Sequence, residues 1–453
     1  MKKKVGKIIG YSFCVLLLLC CSALAQLQPP QSLEGQIEWL VEECKKANIN
    51  WRQKEGERIL VGMNKHGFTD AIQKLLPAFE ELTGIKVTFD IYPEEEFRKK
   101  RLVAMAGGGG IYDVFMIDQA LYQYAEAGWV EPLLPYIENS NLTDPDWYDF
   151  QDIFDKARGF GEYKGVFYGM PITGEAEILF YRRDLYEEKG LGLPQTMDEL
   201  YENARKLKSP EIAGIVLRGQ RGWGANVWPW SGFLWTYGGR FFDENDNPVF
   251  NSPEAVSATE MYAKLLRDAG PVAPASYNWY EVQSDIALGK AAMGIDSGMF
   301  MAVYENPDKS EVAGKMGYAM MPGVAGKPPV PNFWYWMIAM DAKSMHKEAA
   351  WLFIQWATSK EVMLRVGLEC GASPRASVWS SPEFLAKYPK DWAEASSKSL
   401  AVADPTLVPY YKPEFPEFGE ILSIAISDVI AGTKGAKEAL DSAVEETKRI
   451  LGK

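Results

Sequence analysis

Two β-rich runs, RILVGM (58–63) and IKVTFDIY (85–92), flank a segment whose apolar Ile72, Leu75, Leu76 and Phe79 recur at helical spacing. Thr69 or Asp70 can cap that helix, and Gly84 ends it. Strand, helix, strand in this order means a parallel pair joined by a right-handed crossover. A second helical stretch, EEFRKKRLVAMAG, leads through glycines 107–110 into a third strand, YDVFMI. The glycine run lacks the Gly-Lys-Ser/Thr ending of a phosphate loop and precedes a strand, so a nucleotide loop is rejected. The fold class is α/β, with loops gathered at the strand C-termini, the edge where such sheets hold ligands.

The N-terminus supplies Lys2, Lys3, Lys4 and Lys7, then the uncharged run IIGYSFCVLLLLCCSALA, in which Ala23-Leu24-Ala25 fits a small-x-small cleavage site. This predicts a secretory signal peptide over residues 1–25. A retained helix and lipidation at Cys20 or Cys21 are the rivals; no positive cluster follows the run, and Leu19 and Cys20 are poor residues before a lipidated cysteine. A periplasmic or extracellular protein is expected. Cleavage leaves 453 − 25 = 428 residues, too many for one core, so two domains are expected. The lost lysines take the formal charge from −13 to −13 − 4 = −17, which argues against nucleic acid and anionic membranes as partners. Cys44 and Cys370 remain; they could pair in an oxidising compartment, but two buried thiols are expected.

Residues 26–57 read as an N-terminal helical extension, with a helix over 32–54 striped by Ile37, Leu40, Val41 and Cys44. Pro171 marks a crossing between lobes, and a second crossing is placed between AAMGIDSG and KMGYAMMPG. The expected division is residues 58–171 plus 315–369 for lobe 1 and residues 172–314 plus 370–453 for lobe 2. LPQTMDEL starts a helix with Thr196 as N-cap and Glu199 three residues on.

Six ordered stretches carry a family resemblance: FEELTGIKVTFDIY, YDVFMIDQALYQYAEAGWVEPL, YGMPITGEAEILFYRRDLYEEKGL, GGRFFDENDNPVFNSPEAVSATEMYAKLL, ALGKAAMGID and KEAAWLFIQWATSKE. From about Arg58 to the C-terminus the chain resembles the extracellular sugar-type solute-binding proteins of ABC importers, the family that includes maltose-binding protein. GIVLRGQRGWG is similar to its polyol- and monosaccharide-type branch. The resemblance implies two α/β lobes joined by crossing strands, a ligand cleft between them, hinge closure, and docking of the closed form on a membrane permease driven by a separate ATPase. It implies a sugar or polyol ligand, no cofactor and, as the working expectation, a monomer.

A sugar needs aromatic platforms for its C–H faces and carboxylates, amides or arginines for its hydroxyls. In lobe 1 the candidates are Lys65, His66 and Phe68 after the first strand, Glu95 after DIYPE, and Asp118 and Gln119 after YDVFMI. Glu95 could equally be a solvated charge at a helix start, Asp118 a helix cap, and His66 a plain loop residue. Glu175 and Glu177 share a face of an extended segment; the family pattern favours Glu175 for the ligand, against a hinge salt bridge. Arg218, Arg221 and Arg375 can clamp paired hydroxyls, or neutralise buried acids. Asp296, ending a strand, Phe300 beyond it, and Trp334 complete the set, although the family's paired glycines before that tryptophan are Asn332 and Phe333 in this sequence.

GWGANVWPWSGFLW (222–235) places Trp223, Trp228, Trp230 and Trp235 in one window. Pro229 suits a first helical position. Trp230, Phe233, Leu234 and Tyr237 then follow i, i+3, i+4, i+7, which assigns Trp230 to the core. Trp223, Asn226 and Trp228 in the preceding loop are the ligand candidates.

The rival functions are an exported glycosidase, which would need two carboxyls flanking the scissile bond, and a binder feeding a chemoreceptor. The sequence has no His-Glu-x-x-His and no Cys-x-x-Cys, and no Gly-x-Ser-x-Gly elbow; the acidic turns NPDKSE and DENDNP lack the spacing of a calcium loop. No metal site is expected.

Overall fold

The computed structural model describes residues 32–453; the expected signal peptide lies outside the described residues. A short helix, α1 (Leu33–Cys44), packs Leu40, Val41 and Cys44 inward and is capped by the Ser32 hydroxyl. It stops at Cys44 rather than running to residue 54; turns follow, and Trp51 Nε1 closes back on the Cys44 carbonyl at 2.8 Å.

The first sheet runs β2 (Lys86–Tyr92), β1 (Arg58–Asn64), β3 (Val114–Ile117), β11 (Met337–Met340), β6 (Gly169–Pro171). β1 is parallel to β2 and β3, as the crossover rule requires. Between β1 and β2 lies α2 (Gly67–Thr83), which buries Phe68, Ile72, Leu75 and Phe79. Its cap is His66, whose Nδ1 accepts from Phe68 N at 3.1 Å, not Thr69 or Asp70. Gly84 ends it in the left-handed region at φ 73°. α3 (Glu94–Ala106) leads from β2 to β3. A two-strand hairpin, β4 (Glu162–Tyr163) and β5 (Val166–Phe167), precedes β6.

The second sheet is built on β7 (Glu175–Arg182), which pairs antiparallel with β8 (Met293–Ser297), β9 (Met316–Ala319) and β10 (Phe333–Trp334). Met316–Ala319, assigned to lobe 1 from sequence, therefore pairs within the second sheet. The chain returns to the first sheet only between Trp334 and Met337. Likewise residues 376–387 pack on the helix Lys360–Cys370 of lobe 1, and the helix Lys390–Val402 is the first to lie on β7 and β9 after it.

Two crossings thus run side by side, Ile172–Gly174 outward and Tyr335–Trp336 back. Ile172 N donates to Trp336 O at 2.8 Å. The ring of Tyr335 sits where a Cβ on Gly174 would be, 2.7 Å away. Asn332, in place of the expected glycine, fixes the return path: its N donates to Glu177 at 2.8 Å and its Nδ2 to Trp228 O at 2.8 Å.

Thr196 caps α4 (Met197–Leu207) by accepting from Glu199 N at 3.2 Å. α5 (Val227–Tyr237) begins two residues before Pro229, which falls in the first turn where its missing N–H costs nothing. Trp230 is fully buried and donates to Thr259 Oγ1 at 2.9 Å. Cys44 and Cys370 are free and buried. Among the described residues no helix is long and apolar enough to cross a membrane.

Candidate ligand cleft between the lobes

A cavity of about 520 Å³ lies between the two sheets. Lobe 1 contributes Lys65, His66 and Asp70 around the start of α2, and Glu94 at the start of α3. Lobe 2 contributes Glu175, Arg218, Trp228 and Phe300, with Trp279 and Tyr280 from the start of α6 (Trp279–Ala287). Trp334, at the end of β10, and Trp336, on the return crossing, line it as well. Three helix starts converge here because each follows the end of a strand or loop at the cleft edge.

The aromatic walls are pre-packed. Trp279 stacks on Tyr280 with centroids 3.6 Å apart and lies nearly parallel to Phe300 at 6.0 Å. Trp334 meets Trp228 edge-on at 6.4 Å and Trp336 at 5.9 Å. Its Nε1 is buried without a protein partner.

The polar groups are placed by ion pairs behind the wall. The Arg218 guanidinium lies 4.6 Å over Trp228 and grips Asp296 with two hydrogen bonds, the Nε one at 2.8 Å. Glu175 accepts from the Ser297 hydroxyl. Burial pushes its pKa up to about 8, with Arg218 opposing and Asp296 and Glu94 adding to the rise. Glu94 is raised by burial too, against the pull of Arg98. Burial lowers His66 to about 4, so it enters the cleft as a neutral ring. Carboxyls, a guanidinium and flat apolar faces thus surround one space, the set that a polyhydroxylated ligand requires. Among the described residues no group of three or more His, Cys, Asp or Glu could hold a metal ion.

The sequence profile of the bacterial extracellular solute-binding proteins matches residues 65–364. The chain belongs to that family. Relatives of this solute-binding protein include the erythritol/L-threitol-binding protein of Mycolicibacterium smegmatis, 32% identical over 70% of this chain and 69% of that one. The mannitol-binding protein of Pseudomonas aeruginosa is 31% identical over 84% of this chain and 90% of its own. An ABC transporter solute-binding protein of Agrobacterium radiobacter, solved with ribitol, superposes with a TM-score of 0.81 at 28% identity, covering 87% and 99% of the two chains. The two-lobed α/β architecture is shared with these structures.

In this solute-binding protein, seven of the residues singled out from sequence line the cavity: Lys65, His66, Glu175, Arg218, Trp228, Phe300 and Trp334. The others stand behind or away from it. Phe68 is core. Glu95 pairs with Arg98 at 2.5 Å. Asp118 is buried, takes Arg98 Nε at 2.7 Å and also accepts from Ala120 N, the cap-like alternative. Gln119 is buried with neither amide atom partnered. Arg221 is exposed and faces Asp428 at 3.2 Å. Trp223 covers Arg98 at 4.3 Å. Asn226 donates to Ser423 O at 3.0 Å. Asp296 serves Arg218 rather than the cavity. Arg375 is wholly buried and holds the carbonyls of Thr358, Asp149 and Tyr148, together with Asp152.

Sequence reading missed Glu94, Trp279, Tyr280 and Trp336. Helix phase decides which of the three adjacent acids, Glu94 to Glu96, faces inward; Glu94 is buried and Glu96 is not. Asn278 with Glu281, a capping box just ahead of and behind the Trp279-Tyr280 pair, was the available signal for the other wall.

Proposed function

We propose that this chain is the polyol-capturing component of an ABC importer, taking an acyclic alditol of about four to six carbons into the cleft and presenting it to a membrane permease by hinge closure. The observation that carries this reading is the cavity itself: tryptophan faces from lobe 2 and the crossing strand, with Glu94 of lobe 1, Glu175 and Arg218 converging on one space. The relatives add direction, since two bear the names of polyol-binding proteins and a third was solved with ribitol. Family members act in transport, which favours a binding protein over an enzyme. The two cavity carboxyls suit hydrogen bonding better than glycoside cleavage: Glu94 is engaged by Arg98 and by Trp279 Nε1 at 2.9 Å, and Glu175 by Ser297. Export through removal of residues 1–25, a monomeric state and no nucleic-acid partner belong to the same reading.

A thermal-shift and calorimetric panel of erythritol, ribitol, D-mannitol, glucose, maltose, amino acids and short peptides tests it, because a ligand of the native state alone raises the melting temperature. Alditols should bind most tightly, without turnover of oligosaccharides. Binding of amino acids or peptides with no response to any polyol or sugar would sink the proposal.

A further inference from the structure

Trp223 was expected to touch ligand, yet it touches Arg98. Arg98 belongs to lobe 1, on α3, and three carboxylates of its own lobe engage the edges of its guanidinium: Glu94 at 2.7 Å, Glu95 at 2.5 Å and Asp118 at 2.7 Å. Burial works against this charge, and Glu94, Asp118 and Glu95 more than restore it. With its edges taken, the guanidinium offers its flat face. Lobe 2 covers that face with the Trp223 ring at 4.3 Å, and Trp336 of the return crossing stands 5.7 Å away. The lobe 2 backbone follows closely: a Cβ on Gly224 would lie 2.3 Å from Arg98 Nη1.

The loop that makes this contact is tied down within lobe 2 by hydrogen bonds and ring packing. Gly222 N donates to Ser423 Oγ at 2.5 Å, and Trp223 packs edge-on against Phe415 at 5.2 Å. Arg218, a cavity residue, donates to Gly224 O at 3.0 Å. On the other side Glu94 links Arg98 to the cavity and accepts from Trp279 of lobe 2. Both ends of the contact therefore reach the ligand space, and Gly224 lines it, while the Arg98 and Trp223 side chains do not.

We propose that Arg98 and the Trp223-Gly224 loop form an interlobe clasp, made only when the lobes meet, that sets the affinity of the closed state without discriminating among ligands. The proposal rests on the reading of the cavity as a polyol site. A cation on an aromatic face that loses its water on closure is worth enough to change affinity by about ten- to thirtyfold. Gly224 is required because any side chain at that position keeps the loop off the guanidinium.

The test compares wild type with Trp223→Ala, Trp223→Phe, Gly224→Ala and, as a cavity-wall comparator, Trp228→Ala. Calorimetry reads affinity for erythritol, ribitol and D-mannitol, and small-angle scattering reads compaction with and without ribitol. Trp223→Ala should weaken all three ligands by one common factor, about ten- to thirtyfold, with their order kept and compaction reduced. Trp223→Phe should recover most of the loss. Gly224→Ala should resist compaction at saturating ribitol, whereas Trp228→Ala should reorder the ligands. A changed order in Trp223→Ala, or affinity and compaction both at wild-type values, overturns the clasp. If no polyol binds wild type, the polyol reading fails separately, and the clasp is judged on ligand-free scattering: an expanded Gly224→Ala profile beside a Trp223→Phe profile close to wild type supports it, and a Gly224→Ala profile identical to wild type overturns it. These two milder variants also decide the matter if Trp223→Ala does not fold.

Discussion

Replacing Glu175 with Gln isolates the energetics of the cavity wall. Glu175 is largely buried, and burial holds its pKa to about 8 against an ordinary 4.5; Arg218 pulls the value down, while Asp296 and Glu94 push it up. The native state therefore keeps this proton up to about pH 8, whereas the unfolded chain releases it near 4.5. Protons bound by the native state but not the unfolded one make stability fall as pH rises. The contribution is fullest below 4.5, declines through the window to 8 and levels beyond it. At 1.36 kcal/mol per pH unit, that window amounts to about 5 kcal/mol. Gln has no proton to lose. The difference in urea unfolding free energy between Glu175→Gln and wild type should thus grow in favour of Gln by several kcal/mol from pH 5 to pH 9. A difference that stays constant across that range would falsify the assignment of a protonated, desolvated Glu175.

Arg375→Ala should cost about 3–5 kcal/mol in chemical denaturation, because it strips a buried charge from three carbonyls and Asp152, yet leave polyol affinity unchanged in the folded fraction. Trp230→Ala should cost about 3–5 kcal/mol and likewise spare affinity, since the ring fills core and its Nε1 serves Thr259. Trp228→Ala should lower affinity and change the order of preference among alditols by calorimetry, because that ring forms the cavity wall beneath Arg218.

Much of the fold was legible because it rests on local periodicity. The β1–α2–β2 crossover, the Gly84 stop, the Thr196 cap and the core placement of Trp230 follow from spacing and stereochemistry within about one helix length. Strand membership was less legible. Met316–Ala319 and Phe333–Trp334 both pair with β7, a partner more than a hundred residues earlier, and no local pattern encodes which sheet an apolar strand joins. The same limit divides the site. Lys65, His66 and Glu175 stand at strand ends, and loops at strand ends face the cleft in any such sheet. Arg375 and Asn226 also stand in loops, but their long-range partners turn them inward.

The sequence by itself determined the α/β class, the family and the presence of an aromatic, carboxylate-bearing cleft, because these depend on residue types in order along the chain. The tertiary structure decided which of two neighbouring acids lines the cavity, Glu94 or Glu95, and which of two tryptophans forms its wall, Trp228 or Trp223. Those choices turn on helix phase and on the approach of one lobe to the other. A rotation of one residue on α3 is about 100°, and the face of Arg98 meets Trp223 only where the two lobes come together.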